Sequence, residues 1–257
     1  MKQHAIFTTH GISKDATTPT HLSIDDFKHF ADICRLVNVS FKPLNKVDFL
    51  PSPENKDYLM QKTIRSITFD DALESILKAA EIMSAKGTIF VVTGHVGKYN
   101  NWAGQPAWVK RESCLNWSQL KELQNDGWTI GAHSETHANF KRLSANQIKN
   151  EIEFSKKIIE DRLGQPCDFF AYPYGAAPCM AREMVKELNM IGLGTEPGWV
   201  DLIKAELHCL PRIEIYDLIH AKMAKSFFYH APTELEIQSI RLRRFFGLFR
   251  RSLRQAV

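Results

Sequence analysis

The chain has 257 residues, 44% of them hydrophobic and 24% charged, enough for one large domain with a real core. Its formal net charge of +4 is too small to point to nucleic acid or another polyanion as a partner. No apolar run reaches the roughly 18 residues needed to span a bilayer. The five scattered cysteines form no CxxC pair and so indicate neither a disulfide framework nor a thiolate zinc site.

The N-terminal stretch has no apolar h-region and no small-residue cleavage site, so it reads as a first strand, HAIFTT, rather than a signal peptide. Ser23 with Asp26 three residues on opens a helix through about residue 36. Residues 38–62, punctuated by Pro43, Pro51 and Pro53, read as irregular. TIRSITF (63–69) is a strand. Leu73, Ile76, Leu77, Ala80 and Met83 then recur at helical spacing up to Gly87, the expected stop. TIFVVTG (88–94) has the unbroken apolar character of a strand covered on both faces. A loop with Tyr99, Trp102, Trp108 and Trp117 follows, then a short helix from Ser118 to near Gly127 and the strand WTIGAH.

Ser144 and Gln147 spell a capping box, and Ile148, Ile152, Ser155, Ile159 and Leu163 make the clearest helical stripe, closed by Gly164 and Pro166. The rest reads as the strand DFFAYPYG, a helix over 180–189, and the strands IGLGTE and LPRIEI. This alternation predicts an α/β fold, a parallel sheet wound with helices and open or closed into a distorted barrel of about seven strands.

In such folds chemistry gathers at the C-terminal ends of the strands. Those ends carry His10, the doublet Asp70–Asp71, His133 and His137 of HSETH, and YPYG; the late strand carries Arg212. Two histidines and a carboxylate can hold one divalent metal ion, for which zinc is expected. A metal at Asp71 would relieve the repulsion between adjacent aspartates and leave Asp70 beside it as a base. The competing reading makes Asp71 a cap of the following helix.

The motifs ITFDDA, GAHSETHANF and FAYPYG, in that order, resemble the first three motifs of the polysaccharide deacetylases, the NodB-homology group or carbohydrate esterase family four. TIFVVTGHVGKYNNW, LGQPCDFFAYPYG and LPRIEI extend the resemblance over roughly residues 60–215. It implies a distorted (β/α) barrel that removes N-acyl, usually N-acetyl, groups from amino sugars. Asp70 is then implied as general base, Asp71, His133 and His137 as metal ligands, and Tyr174 as the oxyanion donor through its backbone N–H. Tyr172, Pro173 and Trp102 are expected at the substrate. The family's third motif often begins with arginine where this chain has Ala171, and the fourth motif is missing apart from an echo at EPGWVD. Arg212 is expected to replace the lost arginine by pairing with Asp70. The acid that protonates the leaving amine is open among His10, His208 and His230.

The catalytic domain is expected over residues 1–235 and a basic amphipathic helix over 236–257. The end of the chain carries Arg241, Arg243, Arg244, Arg250, Arg251 and Arg254 with no acid among them. Such a helix either lies on an anionic membrane surface or docks its apolar face on the barrel. The scattered cysteines, read as reduced thiols, point to a cytoplasmic protein; with the first choice it is peripheral on the inner face of the membrane and meets a lipid-linked or growing surface-polysaccharide precursor there. Two other readings stand beside the deacetylase: a glycan-binding barrel without turnover, and a deformylase or amidase acting on another N-acyl substrate.

Overall fold

The computed structural model describes residues 3–15, 17–50, 63–202, 205–222, 228 and 233–255, with side chains through Arg244. Its sheet grows from short, nearly continuous apolar runs. Strands β1 (Gln3–Thr9), β4 (Ile64–Phe69), β5 (Thr88–Val91), β6 (Thr129–Ala132), β7 (Phe169–Ala171), β8 (Ile191–Leu193) and β10 (Ile213–Glu214) are all parallel, in the order β10-β1-β4-β5-β6-β7-β8. β2 (Gly11–Ser13) and β3 (His21–Ser23) form a separate two-stranded sheet, and β9 (Val200–Asp201) pairs antiparallel with β1. The two ends of the large sheet meet. Leu210, just ahead of β10, bridges Leu193 of β8 in parallel, while Ile213 pairs with Phe7 of β1. The result is a distorted barrel of seven parallel strands, as the alternating pattern predicts.

The helices cover this barrel: α1 (Ile24–Leu36), α2 (Ile76–Met83), α3 (Trp117–Asn125), α4 (Ala145–Leu163), α5 (Cys179–Glu187), α6 (Ile215–His220) and α7 (Glu234–Gln255). α4 is the most legible. Ser144 and Gln147 exchange both hydrogen bonds of the capping box, and Gly164 ends the helix in the left-handed region at φ 71°. Its buried residues are the five of the predicted stripe. Each aliphatic one stabilises the fold by about 1.5–3 kcal/mol, an upper estimate on an extended-chain reference.

Three boundaries differ from the sequence reading. α2 ends on Ser84 in the left-handed region (φ 51°), ahead of Gly87. Gly87 serves a different purpose, because a Cβ there would lie 2.8 Å from the Ile67 carbonyl oxygen. α3 is capped by Asn116, whose side chain and that of Gln119 form a capping box. α7 starts at Glu234, where the Thr233 hydroxyl accepts from the Glu236 N–H at 3.3 Å and the Glu236 carboxylate accepts from the Thr233 N–H at 2.8 Å.

α7 docks on the barrel through buried Ile237 and Ile240, while Leu242 on the same helix is exposed. Its side chains beyond Arg244 lie outside the described residues. Within the irregular stretch, Lys46–Asp48 form one turn of 3-10 helix and residues 51–62 lie outside the description. No described helix is long and apolar enough to cross a membrane.

Candidate metal and catalytic site

In-register parallel pairing brings the strand ends to one rim. Thr9 pairs with Phe69, Ala132 with Phe170, Ala171 with Leu193 and Thr8 with Glu214. The residues that follow, His10, Asp70, His133, Tyr172 and Gly194, therefore emerge around the same opening. A cavity of about 130 Å³ sits there, lined by His10, Asp70, Asp71, His133, His137 and Tyr174 among others. A larger groove of about 430 Å³ at the opposite end of β6 and β7, beside Lys46 and Trp128, gathers no such donor set.

Asp71 does not cap a helix. Its backbone is left-handed (φ 71°), as is that of Ala72 (φ 52°), and α2 starts only at Ile76. This turn aims the Asp71 carboxylate at two imidazoles, with Oδ1 3.3 Å from His137 Nε2 and 3.6 Å from His133 Nε2. All three residues are buried. His133 Nδ1 contacts the Ala171 carbonyl oxygen at 2.7 Å. A carbonyl only accepts, so Nδ1 carries the proton and the Nε2 lone pair faces Asp71. Burial lowers the His133 pKa to about 4, against the pull of Asp70, so the ring is neutral and fit to ligate at neutral pH. Asp71 Oδ1 is buried without a hydrogen-bond partner. A carboxylate oxygen facing an imidazole lone pair in a dry site is costly unless a cation lies between them. The three ligand atoms lie within 4.8 Å of one another, so this set fits a divalent metal.

His133 and His137 are four apart, yet their convergence owes nothing to a helix. Ser134 and His137 both have positive φ, 66° and 58°. The Ser134 hydroxyl accepts from the His137 N–H at 2.9 Å, and the Glu151 carboxylate on α4 accepts from the N–H groups of Glu135 and Thr136, each at 2.9 Å. The well-marked helix α4 thus pins the ligand loop, a function of Glu151 that the sequence reading does not contain.

Asp70 makes the pair expected of it. Arg212 donates through both terminal nitrogens to the two carboxylate oxygens at 2.7 and 2.8 Å. Arg212 is fully buried and donates also to Gly194 O, Thr8 Oγ1 and Thr68 Oγ1 at 2.8, 3.1 and 3.2 Å. Burial alone would raise the Asp70 pKa, but the charge and hydrogen bonds of Arg212, together with His133 and His10, outweigh it and hold the carboxyl well below the usual range. The position of the family's usual arginine, Ala171, contributes its carbonyl to His133 instead.

Of the candidate acids, His10 lines the cavity and His208 does not. The His208 ring lies nearer Lys186, Glu206 and Glu183, and its carbonyl accepts from the Tyr172 hydroxyl at 2.7 Å. His230 lies outside the described residues. His10 Nδ1 is buried without a partner. Burial opposes charge on this ring, yet Asp71, Glu214 and Asp70 together raise its proton affinity. Glu214 was not among the residues expected. Its Oε2 is also buried and unpartnered, and burial pushes its carboxyl up to about 7. The signal was present in LPRIEI, two residues beyond Arg212.

The aromatic residues divide differently from the expectation. Trp102 is buried and stacks on His137 at 4.3 Å, so it braces a ligand and stands off the cavity wall. Tyr172 lines the cavity from a buried position, and Pro173 is buried beside it in the 3-10 turn. Tyr174, left-handed at φ 57°, and Trp108 both line the cavity and remain partly exposed, 45% and 41%.

The sequence profile of the polysaccharide deacetylases matches residues 59–193. The chain is 25% identical over 137 residues to YxkH of Bacillus subtilis (strain 168), which covers 51% of this chain and 44% of that protein. It is 27% identical over 118 residues to a bifunctional xylanase/deacetylase of Pseudobutyrivibrio xylanivorans, covering 44% of this chain and 17% of that protein. The chain thus spans less than half the length of these curated relatives. Among solved structures it resembles the Streptococcus pyogenes deacetylase PplD in complex with acetate, with TM-score 0.63, 21% identity, and 82% and 92% of the two chains covered. It also resembles IcaB from Ammonifex degensii, with TM-score 0.65, 17% identity, and 88% and 98% covered. At these identities the structural likenesses speak for the fold.

Proposed function

Because the chain belongs to the polysaccharide deacetylase family, whose profile covers residues 59–193, we propose that it is a metal-dependent hydrolase removing N-acetyl groups from the amino sugars of a glycan. One observation carries the reading: a buried carboxylate, Asp70, held ionised by Arg212 beside the ligand set of Asp71, His133 and His137. Those three residues would hold the ion, for which zinc is proposed; when bound it supplies a Lewis acid that makes water a nucleophile near neutral pH and polarises an acyl oxygen.

The remaining work falls to the chain. Asp70 accepts a proton from the attacking water, and Arg212 keeps it deprotonated and oriented for that task. The Tyr174 N–H donates to the oxyanion of the tetrahedral intermediate, an interaction worth about 3–4 kcal/mol in enzymes of this chemistry. His10, which lines the cavity beside Asp70 and Asp71, returns a proton to the leaving amine, so that acetate and a free amino sugar depart. Tyr172 and Pro173 shape the acyl end of the cleft. Trp108, at the lip, offers an apolar face for a sugar ring.

The test is acetate release from a panel of N-acetylated oligosaccharides and lipid-linked amino sugars, alongside metal content, for the native chain and His133→Ala. Release that disappears together with the metal supports the proposal. Metal and glycan binding without release supports a barrel that has lost turnover, and formate release in place of acetate makes it a deformylase. We extend the proposal to a lipid-linked substrate met at the inner face of a membrane, on the strength of the acid-free arginine run of the tail. Co-sedimentation with anionic but not neutral vesicles is the expected result, and equal recovery with both would remove it.

A further inference from the structure

Where β8 leaves the sheet, Gly194, Thr195 and Glu196 run along the rim of the cleft. Each of their carbonyls accepts from an arginine. Gly194 O accepts from Arg212 Nε at 2.8 Å and Glu196 O from Arg212 N at 3.0 Å. Thr195 O, between them, accepts from Arg244 Nη1 on the C-terminal helix. Arg244 is fixed at its other edge by Asp217 of α6. Nε donates to Asp217 Oδ2 at 2.7 Å, and Nη2 lies 2.6 Å from the same oxygen. Asp217 is 10% exposed and Arg244 26%, so this is a shielded contact. The neighbouring pairs of Arg241 with Glu196 and Glu234 are longer and far more exposed.

The segment held this way forms part of the site. Thr195 lines the cavity with Asp70, Asp71 and His10. It also abuts the YPYG turn so closely that a Cβ on Gly175, itself left-handed at φ 65°, would lie 2.1 Å from Thr195 Oγ1. A shift of Thr195 would therefore change both the cleft wall and the turn that carries Tyr174. Arg244 is 51 residues beyond the family-matched segment, which ends at 193, so nothing in the match assigns it a part in the reaction.

We propose that Arg244 is a positioning residue: from the C-terminal helix it fixes the Gly194–Glu196 rim and, through Thr195, the wall of the substrate cleft. This rests on the hydrolase reading given above. The Asp70–Arg212 pair keeps its own contacts with Thr8 and Thr68, so loss of Arg244 displaces the wall more than the base. The expected signature is weakened substrate binding with little change in turnover.

The experiment compares full-length Arg244→Ala, Arg244→Lys, Asp217→Asn and Arg241→Ala with the native chain, all at a temperature where circular dichroism shows each fully folded. Acetate release from an N-acetylglucosamine oligomer should show KM raised about fivefold or more in Arg244→Ala with kcat within about twofold. Arg244→Lys and Asp217→Asn should fall between, and Arg241→Ala should match the native chain. A lower Tm for Arg244→Ala with KM unchanged would overturn the proposal, because a purely structural strut predicts that outcome. Deuterium exchange decides the matter without turnover. Peptides covering residues 193–201 should exchange about tenfold faster in Arg244→Ala than in the native chain or Arg241→Ala, and unchanged exchange there would overturn the proposal. A native chain that releases no acetate from any N-acetylated glycan would count against the hydrolase reading, leaving the exchange result to judge the strut.

Discussion

Replacing Arg212 by methionine removes one half of a fully buried ion pair and leaves Asp70 without its two charge-assisted donors. Breaking such a pair from one side costs about 3–5 kcal/mol, since the remaining charge stays buried. For a chain of this size 1 kcal/mol corresponds to roughly 2–4 °C in Tm, so a fall on the order of 10 °C is expected at pH 7. The sign with pH follows from Asp70. Its native pKa lies below the ordinary carboxylate value because of Arg212, so the pair contributes stability above about pH 4, the unfolded carboxylate value, and loses it as pH falls through the native pKa. The deficit of Arg212→Met should therefore be largest at neutral pH and shrink in acid. Unpaired and buried, Asp70 then takes up a proton at neutral pH, so residual acetate release should climb as pH is raised. Adding Asp70→Asn should recover much of the lost Tm while abolishing release. Thermal melts of the two single variants and the double variant, at pH 5 and 8, give the coupling directly. Additive losses, each under about 1 kcal/mol, would refute the claim that the two side chains act as one buried unit.

Trp102→Ala exposes the face of His137, and a fall of about tenfold in metal affinity is expected from the loss of a ligand's support, read by competition with a chelator. Glu214 has its carboxyl raised to about 7 by burial, so the native fold favours its protonated form, and stability from this group declines as pH rises from about 4.5 through 7. Glu214→Gln should thus melt higher than the native chain at pH 8 and close to it at pH 5; the reverse order would contradict the buried, unpartnered placement. Glu151→Gln weakens the acceptor of two ligand-loop amides, so metal affinity should drop while the helix content of α4, seen by circular dichroism, stays the same.

The parts of this molecule that were legible in the sequence are those fixed by local periodicity or by a residue's own chemistry. The α4 stripe, its capping box and Gly164 could be read because each acts within a few residues. The strand ends could be read because period and length set them, and parallel pairing then placed Asp70, His133 and Tyr172 on one rim. The partner of Asp70 was legible through the family resemblance, because Ala171 stands where the third motif often has arginine and Arg212 was the replacement at hand. What could not be read depends on backbone left-handedness at non-glycine residues, as at Ser84, Asp71 and His137, where tertiary contacts override local preference. It depends also on distant polar partners, such as Glu151 for the ligand loop and Arg244 for the rim. Trp102 and Trp108 could not be told apart, since sequence shows that a loop is aromatic and not which ring turns inward.

Closure of the sheet through Leu193–Leu210 and Phe7–Ile213 orders events during synthesis. The three ligand side chains lie between residues 71 and 137, so their strands can pair while the rest of the chain is still in the ribosome. The first strand must wait for the neighbours on its other edge, β9 and then β10, until residues 200–214 emerge, some two hundred residues later. Contacts across so long a separation form slowly. Arg212 arrives with that final strand, and until then Asp70 faces an open seam where water can solvate it. Because Arg212 directly precedes the closing strand, its chain position couples closing of the seam to supplying the guanidinium that pairs with the Asp70 carboxylate.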